Sequence, residues 1–149
     1  MYASIIESKI RASFDALNRR DASVALSLMA DDVHYRFEGH HALGGERVTR
    51  AGVAKWFERL FRLVESSFSI KSVDVVGWPW RSTVYTTFED HVTPPVGEPY
   101  VNCGVQIAEI RWGRAVKIRT YLDTGRVEAV LGLLSKSGIA EASAPPIEE

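Results

Sequence analysis

The chain has a single cysteine, Cys103, so no intrachain disulfide can form. Its place in the alternating run VNCGVQI reads as a small core side chain, and an unpaired thiol suits a reducing compartment. Excess charge is missing as well: eighteen basic and nineteen acidic residues leave a formal net charge of -1 at pH 7, without a block of like charges. That balance marks neither nucleic acid nor an anionic membrane as a partner. No apolar run approaches the roughly 18 residues of a membrane span, and the opening MYASIIESKIRASF lacks the unbroken apolar segment of a signal peptide. The expectation is a soluble, cytoplasmic protein. Gly44-Gly45 is not part of a phosphate-binding loop, and His34, His40, His41 and His91 stand at no ligand spacing, so neither a nucleotide cofactor nor a metal is expected.

What is present is a change of hydrophobic period along one domain. Ile6, Ile10, Phe14 and Leu17 form the stripe of a helix over 4–17, with Ser4 and Glu7 spaced as a capping box. Asp21 is placed to cap a second helix carrying Val24, Ala25, Leu28 and Met29, and Val33 to Phe37 reads as a short strand. Residues 38–48 show no period and read as a loop. Thr49 caps a third helix with the stripe Val53, Trp56, Phe57, Leu60, Phe61 and Val64. Period two then takes over in strands 68–77, 82–92, 100–112 and 114–122. The first two connections are Trp78-Pro79-Trp80-Arg81 and Pro94-Pro95-Val96-Gly97, and Gly113 makes the third. In the third of these strands the apolar parity runs through Val101, Cys103, Val105 and Ile107 and then switches to Ile110 and Trp112, which predicts a bulge near Ala108. A last helix spans 126–134. The domain is read as 1–137, with 138–149 a disordered tail on its composition.

Helices first, one short strand, another helix and then long antiparallel strands is an α+β order. With LNRRDASVALSLMADDVHY, GVAKWFERL and GRAVKIRTYLD, the chain resembles the nuclear-transport-factor-two-like cone fold, and within it the SnoaL-like polyketide cyclases. The resemblance implies a curved antiparallel sheet wrapped around N-terminal helices, a deep apolar pocket, and a homodimer formed through the sheet's outer face. The fold hosts isomerases, hydrolases, cyclases and plain binding domains, so function has to come from the pocket residues.

Ketosteroid isomerase chemistry does not fit, because Phe14 and Phe37 stand where that family has its oxyanion tyrosine and its base. Limonene epoxide hydrolase is the nearer comparison: Asp90 and Asp123 match its two aspartates and Tyr35 its tyrosine. Phe37 and Phe88, however, replace its asparagine and bridging arginine. Likeness to the cyclases implies catalysis by Asp123 with Asp90 or Tyr35 assisting, against a substrate wall of Phe14, Phe37, Trp56 and Phe88. His40, beside His41 in the loop, is either a substrate-touching lid residue or solvated. Asp123 has a second reading as the cap of the last helix. Two outcomes stay open. A cofactor-free acid/base enzyme acting on a small, largely apolar molecule should show both carboxylates opening into one cavity of a few hundred cubic ångströms, and a cavity filled by Phe37 and Phe88 would count against catalysis. A non-catalytic ligand-binding or protein-interaction domain needs an exposed apolar patch outside the dimer surface.

Overall fold

The computed structural model describes residues 1–149. Its elements are α1 (Tyr2–Asn18), α2 (Ser23–Ser27), β1 (Met29–Phe37), β2 (Gly45–Arg47), α3 (Arg50–Leu63), β3 (Glu65–Trp78), β4 (Arg81–Thr93), β5 (Tyr100–Arg111), β6 (Arg114–Leu122) and α4 (Thr124–Lys136). One curved, unclosed sheet runs in the order β2-β1-β6-β5-β4-β3, antiparallel except where β1 lies parallel to β6. The α+β cone is therefore as expected.

Strands of twelve to fourteen residues bury one face only if they bend, and local extra residues do the bending. One such residue is Lys71 on β3, where Ile70 and Ser72 pair with Phe88 and Thr87. Another is Val116 on β6, where Lys117 and Ala115 pair with Glu109 and Ile110. The bulge thus lies on β6, and β5 keeps its parity throughout. That reverses the reading of β5: Asn102, Gly104, Gln106, Ala108 and Ile110 point inward, while Val101, Cys103, Val105 and Ile107 face out. Cys103 is exposed and not a core side chain. The reason is space. A Cβ at Gly104 would come within 2.8 Å of the Phe88 ring, so the inner face of β5 is kept small or polar where that ring crosses it.

The concave face is closed by α1 and α3. Ile6, Phe14 and Leu17 of α1 and Val53, Trp56, Phe57 and Leu60 of α3 join the buried cluster. Thr49 caps α3 as expected, its Oγ1 accepting from the Gly52 N–H at 3.0 Å. Asn18, at the end of α1, bonds both backbone groups of Phe68 (2.7 and 3.0 Å), tying the helix to the sheet's edge. Three local expectations change. The Ser4 hydroxyl donates to the Met1 carbonyl and forms no capping box. Met29 opens β1 and does not belong to α2, because its backbone pairs with Ala115. The segment 38–48 contains the three-residue β2, which pairs with the end of β1.

The C-terminal residues 138–149, expected to be disordered, are bound along α3. Ala140–Ser143 form a 3-10 turn with Ala142 buried, and Glu141 pairs with Arg59 and Arg62. The Glu149 carbonyl accepts from Thr49 and Val48, and its carboxylate meets Lys55. Composition missed this because each contact is made by backbone or by a side chain far away in sequence. Arg47 is the anchor of the region. Fully buried against Tyr35 and Trp56, it donates to the carbonyls of Gly44 (2.6 Å), Gly45 (2.9 Å) and Ile147 (3.3 Å). Arg47→Ala should lower stability in urea denaturation by about 2–4 kcal/mol, since it leaves three carbonyls short of a donor and a void against two rings. Arg47→Lys should recover little of this, lacking the planar fork.

Candidate functional site

The concave interior holds a cavity of about 90 Å³. Its wall includes Phe14 from α1, Tyr35 and Phe37 from β1, Trp56 from α3 and Phe88 from β4, all proposed from the sequence. Register explains why they converge: Phe88 and Asp90 are consecutive inward positions of β4, Tyr35 and Phe37 of β1. The rings pack in two groups. Phe14, Phe68 and Phe88 meet at centroid separations of 5.4 to 6.1 Å, and Tyr35, Phe37 and Trp56 at 5.1 and 5.2 Å. Trp56 is held in place by its Nε1–H, which donates to the Leu43 carbonyl at 2.8 Å. Exposed Lys9 and the turn residue Gly113 also line the cavity and mark where it meets the surface.

Asp90 is the one carboxylic acid on this wall. It is 8% exposed; Oδ2 accepts from the Ser66 hydroxyl at 3.2 Å, while Oδ1 is buried without a partner. Burial penalises the carboxylate and pushes the pKa up to about 7, with the Ser66 bond only partly opposing it. A second void, of about 30 Å³, lies on the other side of Asp90, bordered by Tyr100 and Asn102. Burial, with Asp90 beside it, pushes the Tyr100 hydroxyl up to about 12.

Tyr35 is also buried, and loss of water pushes its hydroxyl up to about 12 although Arg47 opposes the shift. It is therefore a neutral phenol. Gln106 Nε2 donates weakly to Thr120 Oγ1 (3.4 Å), and both side chains belong to the cavity wall.

Asp123 is elsewhere. Strand β6 ends at Leu122 with alternation intact, which leaves Asp123 at the outer edge with its side chain 59% exposed. Oδ1 accepts from the N–H groups of Gly125 (3.0 Å) and Arg126 (3.4 Å), capping α4, and Oδ2 faces Arg126. Its backbone is fastened by Asn102, which accepts from the Asp123 N–H and donates to its carbonyl, both at 3.1 Å. The expected convergence of two carboxylates in one cavity does not occur. His40 is likewise outside: it is exposed and borders a surface hollow with Arg36, Glu46 and Glu148. Its neighbour His41 packs edge-on to Phe37, and burial lowers its pKa.

Sequence reasoning missed Ser66, Asn102, Gln106 and Thr120. The signal available was a polar residue at an inward parity, visible for Thr120 between Ile118 and Leu122 but hidden on β5, where the apolar face is the outer one. No three His, Cys, Asp or Glu side chains converge in a metal-binding arrangement.

Comparison with known proteins fixes the family. The profile of the SnoaL-like domain matches residues 10–118, well over half of the chain. The chain belongs to the SnoaL-like family. A search of curated proteins finds no match. Among solved structures, an NTF2-like protein of unknown function from Burkholderia pseudomallei K96243 is similar at 22% identity and a TM-score of 0.72, covering 84% of this chain and 95% of that one. An LEH-like epoxide hydrolase of M. tuberculosis is similar at 18% identity and 0.69, covering 93% and 98%. A ketosteroid isomerase-like protein from Erwinia carotovora atroseptica reaches 19% and 0.66, covering 81% and 95%. Likeness at these identities establishes the fold of this SnoaL-like chain and leaves its chemistry to the site.

The two aspartates should respond in opposite ways to substitution. Asp123→Ala should cost roughly 0.5–2 kcal/mol in denaturant, and Asp123→Asn much less, because asparagine also caps. Asp90 has a folded pKa above its unfolded value, so its favourable contribution is complete below about pH 4 and lost as pH rises through about 7. Asp90→Asn should therefore exceed the parent in stability above about pH 7, by roughly 1–4 kcal/mol, with the gap closing under acid conditions. Thermal unfolding across pH reads both effects.

Proposed function

We propose that this SnoaL-like protein binds a small, largely apolar molecule in the aromatic cavity and performs cofactor-free acid/base chemistry on it through Asp90. The observation that carries the reading is the partnerless Oδ1 of a buried carboxyl on the cavity wall. An acid whose pKa lies near neutrality holds or releases its proton with little penalty at the working pH. Ser66 holds Oδ2, leaving Oδ1 as the atom that moves the proton. The phenol of Tyr35, with Thr120 and Gln106 on the same wall, supplies polar groups to orient a substrate oxygen. Proton shuttling beside an oriented carbonyl serves an isomerisation or an intramolecular ring closure. Activation of water by a carboxylate pair is not part of the proposal, since Asp123 caps α4 instead.

Cavity size limits the ligand. Small-molecule sites usually run to a few hundred cubic ångströms, and about 90 Å³ admits only a few carbons unless Phe14 or Phe88 turns aside. The second reading, a non-catalytic binding domain, is favoured by the presence of a single carboxyl and by phenylalanines at 37 and 88. We also propose a homodimer through the convex sheet face, where Tyr85, Val101 and Tyr121 are exposed, and a cytoplasmic location consistent with the exposed Cys103 thiol. No helix is long and apolar enough to cross a membrane.

The test is proton exchange at the α-carbon of a small enolisable ketone, such as cyclopentenone, in deuterated buffer, followed by NMR. Parent protein should accelerate exchange, and Asp90→Asn should lose it by about a hundredfold or more. Ligand-induced thermal stabilisation with no exchange above buffer would establish the binding-domain reading in its place.

A further inference from the structure

Three of the four tryptophans lie together on the surface, at the end of the sheet where the cavity opens. Trp78, Trp80 and Trp112 are 66%, 53% and 76% exposed, whereas Trp56 is buried. Trp78 and Trp80 are stacked at 5.9 Å with an 11° interplanar angle, and Trp112 stands 6.5 Å from Trp80. They sit on two adjacent hairpin turns joined by a hydrogen bond from the Trp112 N–H to the Pro79 carbonyl (2.9 Å). Trp112 has a φ of 52°, a left-handed conformation unfavourable for a residue with a Cβ, although its side chain adds nothing to the core. The two-residue hairpin turn accounts for its backbone and its exposure but not for the choice of tryptophan there.

The row of side chains next to this cluster is cationic. Trp78 pairs with Arg81, Ser82 with Ile110, and Arg111 with Arg114, so Arg81, Arg111 and Arg114 form a single row beside the tryptophans. Ser82 and Ile110 are buried, so the neighbouring Arg81 and Arg111 point to the convex face; all three arginines are exposed. Two rows further along, on the same face, Glu109 stands opposite Lys117, which offsets it. The whole-chain charge of -1 averages over this local excess. Gly113, next to Trp112, belongs to the cavity wall, as does the exposed cationic Lys9.

We propose that this tip docks on an anionic lipid surface, the indoles entering the headgroup region and the arginine row meeting lipid phosphates. Tryptophan prefers the boundary between water and hydrocarbon, and clustered arginines supply attraction to anionic headgroups. Docking there sets the mouth of an apolar cavity against the phase in which apolar ligands dissolve. The inference does not depend on Asp90 performing chemistry.

The experiment is co-sedimentation of the full chain with vesicles of phosphatidylcholine alone and of equal parts phosphatidylcholine and phosphatidylglycerol, with tryptophan emission recorded in parallel. Binding is expected only to the anionic vesicles, weakening with salt and shifting the emission to the blue. The triple variant Arg81→Gln, Arg111→Gln, Arg114→Gln keeps every tryptophan and should bind on the order of a hundredfold more weakly. Trp80→Ser with Trp112→Ser should also weaken binding, and the buried Trp56 emission reports that the fold is kept. Equal retention on both vesicle types, or on neither, overturns the proposal. So does a tryptophan variant that dissociates an oligomer while leaving vesicle retention unchanged, which would make the tip a contact between copies of the chain.

Discussion

The constraint on which the rest depends is that a single sheet of very long strands must bury one face under a few helices, chiefly α1 and α3 with α2 and α4 contributing at the margins. Bulges at Lys71 and Val116 bend the sheet, and α1 and α3 close the concavity. Seven aromatic rings share the wall of the remaining space with a larger number of aliphatic side chains. Rings are stiff, and pairs of them pack in offset or inclined arrangements, so a void persists between them. The cavity thus follows from the way the fold achieves burial.

The same constraint makes Asp90 unusual. Its strand position is dictated by register, between inward Phe88 and Val92, and the only hydrogen bond available there comes from Ser66. No cation faces it. A carboxyl in that setting stays protonated up to near neutrality, a condition a structural ion partner would not allow. Asp123 illustrates the opposite case: at a strand end, solvated, with two amides and an arginine to satisfy it, it has the partners of a helix cap. Two aspartates that look alike as family matches therefore have different physical roles, and it is desolvation that separates them.

Much of the fold was legible because α1, α3 and strands β3 to β6 carry clean periods, and the inward parity of β4 placed Phe88 and Asp90 correctly. Parity failed on the first part of β5, where Val101, Cys103, Val105 and Ile107 line the convex side while Asn102, Gly104 and Gln106 face in; it holds again from Ala108 to Ile110. Short β2 and the bound tail were illegible for a different reason: both are held by long-range contacts, above all those of Arg47, that leave no local pattern. Of the site residues, the aromatic wall, Asp90 and Tyr35 come together in the cavity. Asp123 and His40 do not: alternation along β6 carries Asp123 to the outer side at the strand's end, and His40 lies in the loop beyond β1.

The central claim is that Asp90 is a desolvated acid facing the cavity without a counter-ion. Carbon-detected NMR of the side-chain carboxyl, assigned by comparison with Asp90→Asn, measures this without a substrate. The account predicts a titration midpoint near about 7. A midpoint at or below the ordinary aspartate value of about 3.9 would mean that water or a cation reaches the carboxylate, and Asp90 would then be a solvated or ion-paired residue with no special fitness for moving a proton.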